Sequence, residues 1–360
     1  MRQGIRKTSH LLPLAWGFCL LVALGALPAH AATLLAEMSA SQHARAWTLL
    51  GDVELREDAT FLTFGYSGMR PEPDTAASHQ LSLGVDQALS DHWLFSGSVL
   101  FGLPKATQTP LAREMPRLGL PALSARTAYG SQGLALSAGY DSGGVSDVEY
   151  GLDMGLGLTR YPMRRALLAH RTGEGARVVY QREELLRVLR PSLGARLMLG
   201  ARWELGLRGG LYLYNEDPLN AGQFSPEEQQ ALAERYAQVG EDRPLERAYV
   251  ERLYRDLGST VAGRLADVNA VTGLPSAPVQ FDVKPSVTWR INETVRGQLS
   301  YAFARYVTGQ GVGHVLATRW TFRLGEPLRL WASVALQVDV LPETTPLRTG
   351  LGSLGAEYSF

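Results

Sequence analysis

From Leu328 to Val340 the chain alternates without a slip. Leu328, Leu330, Ala332, Val334, Leu336, Val338 and Val340 fall on one side, and Arg329, Ser333, Gln337 and Asp339 on the other. A period of two marks a β-strand whose faces meet different surroundings. The pattern recurs at 59–67, 80–89, 93–103, 133–141, 148–160, 187–200, 203–215, 279–291, 295–307, 314–325, 328–340 and 348–360, which makes twelve candidate strands. Most run 9 to 14 residues. That length suits a strand crossing a bilayer at a tilt and exceeds the usual soluble strand of about five or six residues.

The connections sort by length. Those after every second candidate are tight, such as "GAR", "NET" and "GEP", whereas the others are long, the largest running from about 216 to 278. Short turns on one side and long loops on the other predict an all-β, antiparallel, up-and-down transmembrane barrel of about twelve strands over 59–360, with both termini on the short-turn side. Inside the largest loop, residues 225–257 carry a helical signal: Ser225 and Glu228 form a capping box, Pro226 suits the first turn, and Gly258 follows as a stop. This insertion is expected to fold over or into the barrel mouth, or to pack on neighbouring loops. Residues 32–58 are expected to form a periplasmic N-terminal segment or a plug.

Residues 1–31 read as a secretory signal peptide, with Arg2, Arg6 and Lys7 ahead of an apolar run and Ala29-His30-Ala31 as the cleavage pattern. The single cysteine, Cys19, lies in that run, so a mature chain has no disulfide and no cysteine metal site. Losing three of 35 basic residues leaves 32 against 35 acidic ones, a net charge of about −3 with no global pull toward nucleic acid.

Trp93, Trp203, Trp289 and Trp320 lie near strand ends on the apolar register, as an interfacial aromatic girdle requires. The chain ends in Phe360, with Tyr358 two residues earlier and Ala356 and Leu354 continuing the apolar register. This ending resembles the C-terminal insertion signal of bacterial outer-membrane β-barrel proteins. The resemblance implies an outer-membrane location. It also implies contact with outer-membrane lipids, lipopolysaccharide and the barrel-assembly machinery.

With the apolar face toward lipid, each strand assigns its charges to the lumen. Arg190, Arg196, Arg208, Lys284, Arg290, Arg296, Arg319, Arg323 and Arg329 point inward on six consecutive strands, with Glu204, Asp282 and Asp339 as the only acids among them. The remaining strands offer Asp86, Glu149, Asp153 and Glu357 and no inward base. A basic arc thus faces an acidic one, and charged rings of this kind select what passes. Gly84, Gly139, Gly151, Gly155, Gly157, Gly194, Gly206 and Gly210 also point inward, where they leave space for a channel or relieve barrel curvature.

The function expected is a porin-like channel for small hydrophilic solutes, preferentially anionic, with no cofactor and no covalent chemistry. The alternatives are a hydrolase at the extracellular rim and a plugged barrel serving adhesion. The histidines after residue 31 are His43, His79, His92, His170 and His314; His79 and His314 fall near the outer rim, where Asp74 would complete a site. No phosphate-loop, zinc or nucleic-acid motif is present.

Overall fold

The computed structural model describes residues 32–360 apart from 43, 58, 72–76, 115, 117–120, 144–147, 219–277, 308 and 343–344. The signal peptide over 1–31 and the helical insertion over 225–257 therefore lie outside the described residues, as do His43 and Asp74. Among the described residues every long element is a strand: β1 (Ala32–Ser41), β2 (Ala44–Arg56), β3 (Thr60–Pro71), β4 (Ser78–Ser90), β5 (Trp93–Ala112), β6 (Ala122–Asp141), β7 (Val148–His170), β8 (Arg177–Leu199), β9 (Trp203–Leu211), β10 (Leu213–Tyr214), β11 (Val279–Arg290), β12 (Val295–Tyr306), β13 (Val312–Arg323), β14 (Leu328–Val340) and β15 (Leu347–Ser359).

Each strand pairs antiparallel with the next, and β15 returns to β1 with Thr33 opposite Ser359. The elements β9 and β10 are one barrel strand interrupted at Tyr212, since both pair with β8 in a single register. The sheet is therefore a closed barrel of 14 strands, with every strand paired on both sides throughout the closed part.

The expected count of twelve is corrected by the N-terminal residues, which are wall and not tail or plug. Here Leu34-Leu35 and Leu49-Leu50 put an apolar residue on both faces, so the two-residue period is hidden. Their pairing partners decide the matter: β1 lies between β15 and β2. The strands β5 to β8 are also longer than expected, at 20, 20, 23 and 23 residues. Their outer halves lose the alternation and rise as a projecting wall on the long-loop side.

The lipid-facing band is plain on β7. Val148, Tyr150, Leu152, Met154, Leu156 and Leu158 are all exposed and all point outward. Ten residue steps at about 3.3 Å, tilted about 40°, rise roughly 25 Å, the height of a membrane-barrel apolar band. At its short-turn end sit Trp93 against Tyr140 (5.1 Å between ring centroids), Trp289 against Trp320 (5.6 Å) and Tyr358 against Phe360 (4.8 Å). The Phe360 ring is 68% exposed, and its backbone N–H donates to the Ala32 carbonyl at 2.9 Å. The terminal residue both closes the seam and faces lipid.

Turns at 91–92, 200–202, 291–294 and 324–327 lie on the side of the termini, where β2 and β6 also end. On this side Gly143 (φ 69), Gly200 (φ 59) and Gly325 (φ 105) each take a positive φ that glycine adopts without a Cβ clash. The opposite side is where β3, β5 and β10 end, ahead of the longer connections. By the asymmetry of such barrels the short turns are periplasmic. With strands about 4.8 Å apart, fourteen of them close at a backbone diameter of roughly 28 Å, leaving about 15 Å between side chains on opposite walls.

Candidate functional site: the lumenal wall

Pairing register settles which side chains enter the lumen. Asp86 is opposite Ser96 and two residues from Gly84, while Leu83 and Val85 on either side of Gly84 are exposed to the outside. The same parity carried around the barrel places Arg190, Arg196, Arg208, Lys284, Arg290, Arg296, Arg319, Arg323, Arg329, Glu149, Asp153 and Glu357 on the inner face. Tyr358 and Phe360 lie on the outer side of the seam, where the apolar register put them.

Several inward acids were not assigned from the sequence. Glu37, Asp52 and Glu54 enter with β1 and β2, and Asp141 sits opposite the inward Gly151. Inward bases were missed as well. Lys105 lies on the outer extension of β5, opposite the inward Tyr129, beyond a register shift between Gly102 and Lys105 that sequence periodicity does not reveal. The expectation that the acidic half holds no base is corrected by this residue.

A recurring device organises the wall. On a sheet, strands two apart are roughly 9.6 Å from one another, so their side chains meet only by lying flat across the strand between. Any Cβ on that strand would block them. The Arg196 side chain of β8 crosses Gly151 of β7 to pair with Asp141 of β6. Likewise Asp153 of β7 crosses Gly194 of β8 toward Arg208 of β9 (3.8 Å), and Trp331 of β14 crosses Gly355 of β15 to donate its indole N–H to Glu37 of β1 (3.2 Å). On the lipid side, Trp289 crosses Gly297 to reach Trp320.

The inward glycines thus do two things. At Gly151, Gly155, Gly194, Gly206 and Gly210 a side chain from a neighbouring strand occupies the space a Cβ would need. At Gly139 and Gly157 nothing lies closer than 3.8 Å, and the wall there is thin.

The charges divide into paired and unpaired sets. Where the basic arc meets the acidic one, Arg196 pairs with Asp141 and Arg329 with Glu357 (3.0 Å). Within the arc, Arg190 bonds Asp282 (3.0 Å) and stacks over the Tyr212 ring (4.9 Å), whose hydroxyl also donates to Asp282 (3.3 Å). Arg319 lies over the Trp331 ring at 4.5 Å.

The middle of the arc differs. Lys284 and Arg290 on β11, Arg296 on β12 and Arg323 on β13 pair with no carboxylate among the described residues. Arg290 stands directly opposite Arg296, and Arg323 opposite Arg329. Opposed like charges disfavour the sheet by a fraction of a kcal/mol to about 1 kcal/mol. Arg290, Arg296, Arg323 and Arg329 lie within two residues of the periplasmic turns at 291–294 and 324–327, whereas Lys284 stands six residues further along β11.

Higher in the barrel the inner wall is apolar. Met163, Leu186 and Val188 are buried against Tyr129, Tyr161, Tyr212 and Tyr214, and the Tyr214 hydroxyl donates to the Val279 carbonyl at 2.8 Å. This cluster stiffens the tall β6 to β11 wall above the charged zone.

The candidate rim site is not assembled. His79 bonds Tyr66 (2.9 Å) on β3, and His314 bonds Tyr301 (2.7 Å) on β12, with five strands between β4 and β13. His92 lies in a periplasmic turn against the Asp141 carbonyl. A Ser/His contact that the sequence did not reveal lies on the outer extensions of β6 and β7: Ser124 Oγ is 2.7 Å from His170 Nε2, with Gln108 2.9 Å from the hydroxyl. Ser124 is only 5% exposed, and His170 has no carboxylate partner among the described residues. That falls short of an activated nucleophile open to substrate. No group of three or more His, Cys, Asp or Glu among the described residues is placed to hold a metal ion.

No family model and no curated protein matches the sequence. Among solved structures, the chain is similar to a Pseudomonas aeruginosa FadL homologue at 10% identity and a TM-score of 0.49, covering 93% of this chain and 91% of that one. It is also similar to the KdgM porin (7% identity, TM-score 0.37, 91% and 99% covered). A third is the translocator domain of the autotransporter NalP from Neisseria meningitidis (10% identity, TM-score 0.41, 97% and 96% covered). Closure into fourteen antiparallel strands, an outward apolar band bounded by aromatics and an inward-facing set of charges make this chain a bacterial outer-membrane β-barrel.

Proposed function

We propose that the barrel passes small hydrophilic solutes across the outer membrane by diffusion or facilitated diffusion, and that its basic wall engages their anionic groups. The observation that carries this reading is the run of Lys284, Arg290, Arg296 and Arg323 on three adjacent strands, inward and without carboxylate partners among the described residues. Cations held side by side without counter-ions are stabilised by a passing anion, as in other charged pores.

The acids of β1, β2 and β6 change the expected balance. With Glu37, Asp52, Glu54 and Asp141 counted, the lumen carries two walls of opposite sign and no large excess of either. A gap of about 15 Å exceeds the Debye length of about 8 Å at physiological salt, so the walls act as separate lanes. An anionic group follows β11 to β13, and a solute bearing both signs is oriented across the lumen. The overall ionic bias is modest, and it strengthens as salt is lowered.

Insertion of the chain, refolded without residues 1–31, into a planar bilayer tests the proposal. Discrete conductance steps with a weak anion preference that grows at low salt are expected. A correctly folded barrel that stays electrically silent would overturn it.

A further inference from the structure

Where the apolar band ends on the extracellular side, the outer face of β6 to β10 changes character in one step. Leu134, Leu158, Leu189 and Leu213 lie side by side across four strands, all exposed. The next outward row is Gln132, Arg160 and Arg187, followed by Asn215 just past β10.

Arg160 and Arg187 are directly opposite one another across β7 and β8, and both are exposed. Neither has a carboxylate partner among the described residues. Arg160 donates through Nε to Gln132 at 2.6 Å, which leaves its terminal nitrogens free. Asn215 holds the Arg187 backbone, accepting from its N–H and donating to the Leu185 carbonyl at 3.1 Å. The charged row above is already neutralised, with Arg164 3.8 Å from Glu183. Arg160 and Arg187 are thus two uncompensated cations at the boundary between hydrocarbon and headgroups.

We propose that Arg160 and Arg187 form a binding site for the phosphate of an outer-leaflet lipopolysaccharide, whose acyl chains lie on the leucine row beneath. A guanidinium offers a planar fork that bonds a phosphate bidentately, and two opposed forks relieve their mutual repulsion by sharing one anion. At the interface such bonds are stronger than in water, because the surrounding dielectric is low. The continuity of the leucine row with the arginine pair points to an amphiphile that carries both parts. A soluble anion would use only the second. The site faces away from the lumen, so its occupancy is independent of the proposed transport.

The test uses the folded barrel in phosphatidylcholine vesicles, with lipopolysaccharide titrated in and the unfolding temperature read from the heat-dependent gel shift. The expected result is a stabilisation whose midpoint concentration rises about tenfold in the Arg160→Gln, Arg187→Gln variant. Dephosphorylated lipopolysaccharide should lose the same advantage on the unaltered protein, a comparison that needs no variant. Equal midpoints for protein and variant, or full stabilisation by the dephosphorylated lipid, would overturn the proposal. Stabilisation by inorganic phosphate alone would overturn it as well, since it would mark a site for free anions.

Discussion

Reversing Arg290, Arg296 and Arg323 to Glu probes the basic wall where its charges are uncompensated. The three lie on adjacent strands near the periplasmic mouth, so a permeant ion hugging that wall passes each at about 8 Å. In water a unit charge at that distance contributes about 0.5 kcal/mol, and screening over a Debye length of about 10 Å at 0.1 M salt reduces this to about 0.2 kcal/mol. Three reversals change the wall by six charges and shift an ion's energy there by about 1.4 kcal/mol. That is roughly tenfold in local concentration, in opposite senses for anions and cations. Because ions also travel near the acidic wall, the measured permeability ratio should move by about tenfold overall and change from weakly anion- to cation-preferring. The assay is the reversal potential across a salt gradient centred near 0.1 M, repeated at about 1 M, where a Debye length of about 3 Å should abolish most of the difference. A folded, conducting variant with an unchanged reversal potential would refute the assignment of these side chains to the permeant path.

Two further outcomes test the wall itself. Val334, 67% exposed at the middle of β14, points to lipid, and its neighbour Ser333 points inward; Val334→Arg should lower stability by about 2–4 kcal/mol, and Ser333→Arg by much less, in denaturant titrations in phospholipid. A Cβ at Gly355 would strike the Trp331 ring, so Gly355→Val should cost about 1–3 kcal/mol. It should also red-shift the Trp331 contribution to the fluorescence, taken as a difference against Trp331→Phe; an unmoved emission would contradict the glycine-bridged geometry.

Much of the architecture is legible because a membrane strand meets lipid on one side and water on the other. That contrast writes itself into every second residue, so twelve strands, the inward parity of each named charge and the girdle at Trp93, Trp203, Trp289 and Trp320 follow from periodicity alone. Where the contrast weakens, so does the signal. In β1 and β2, Leu35 and Leu50 face inward beside outward Leu34 and Leu49, and only pairing with β15 and β3 shows that these segments are wall. Above the bilayer both faces of β5 to β8 meet water or protein, so nothing enforces alternation there, and Lys105 and the Ser124–His170 contact stay hidden. Partnership is the other property a linear pattern does not hold. Arg196 and Arg296 look alike along the chain, yet one is neutralised by Asp141 across Gly151 and the other is not, because ion pairing between strands two apart depends on the residue that barrel closure places between them.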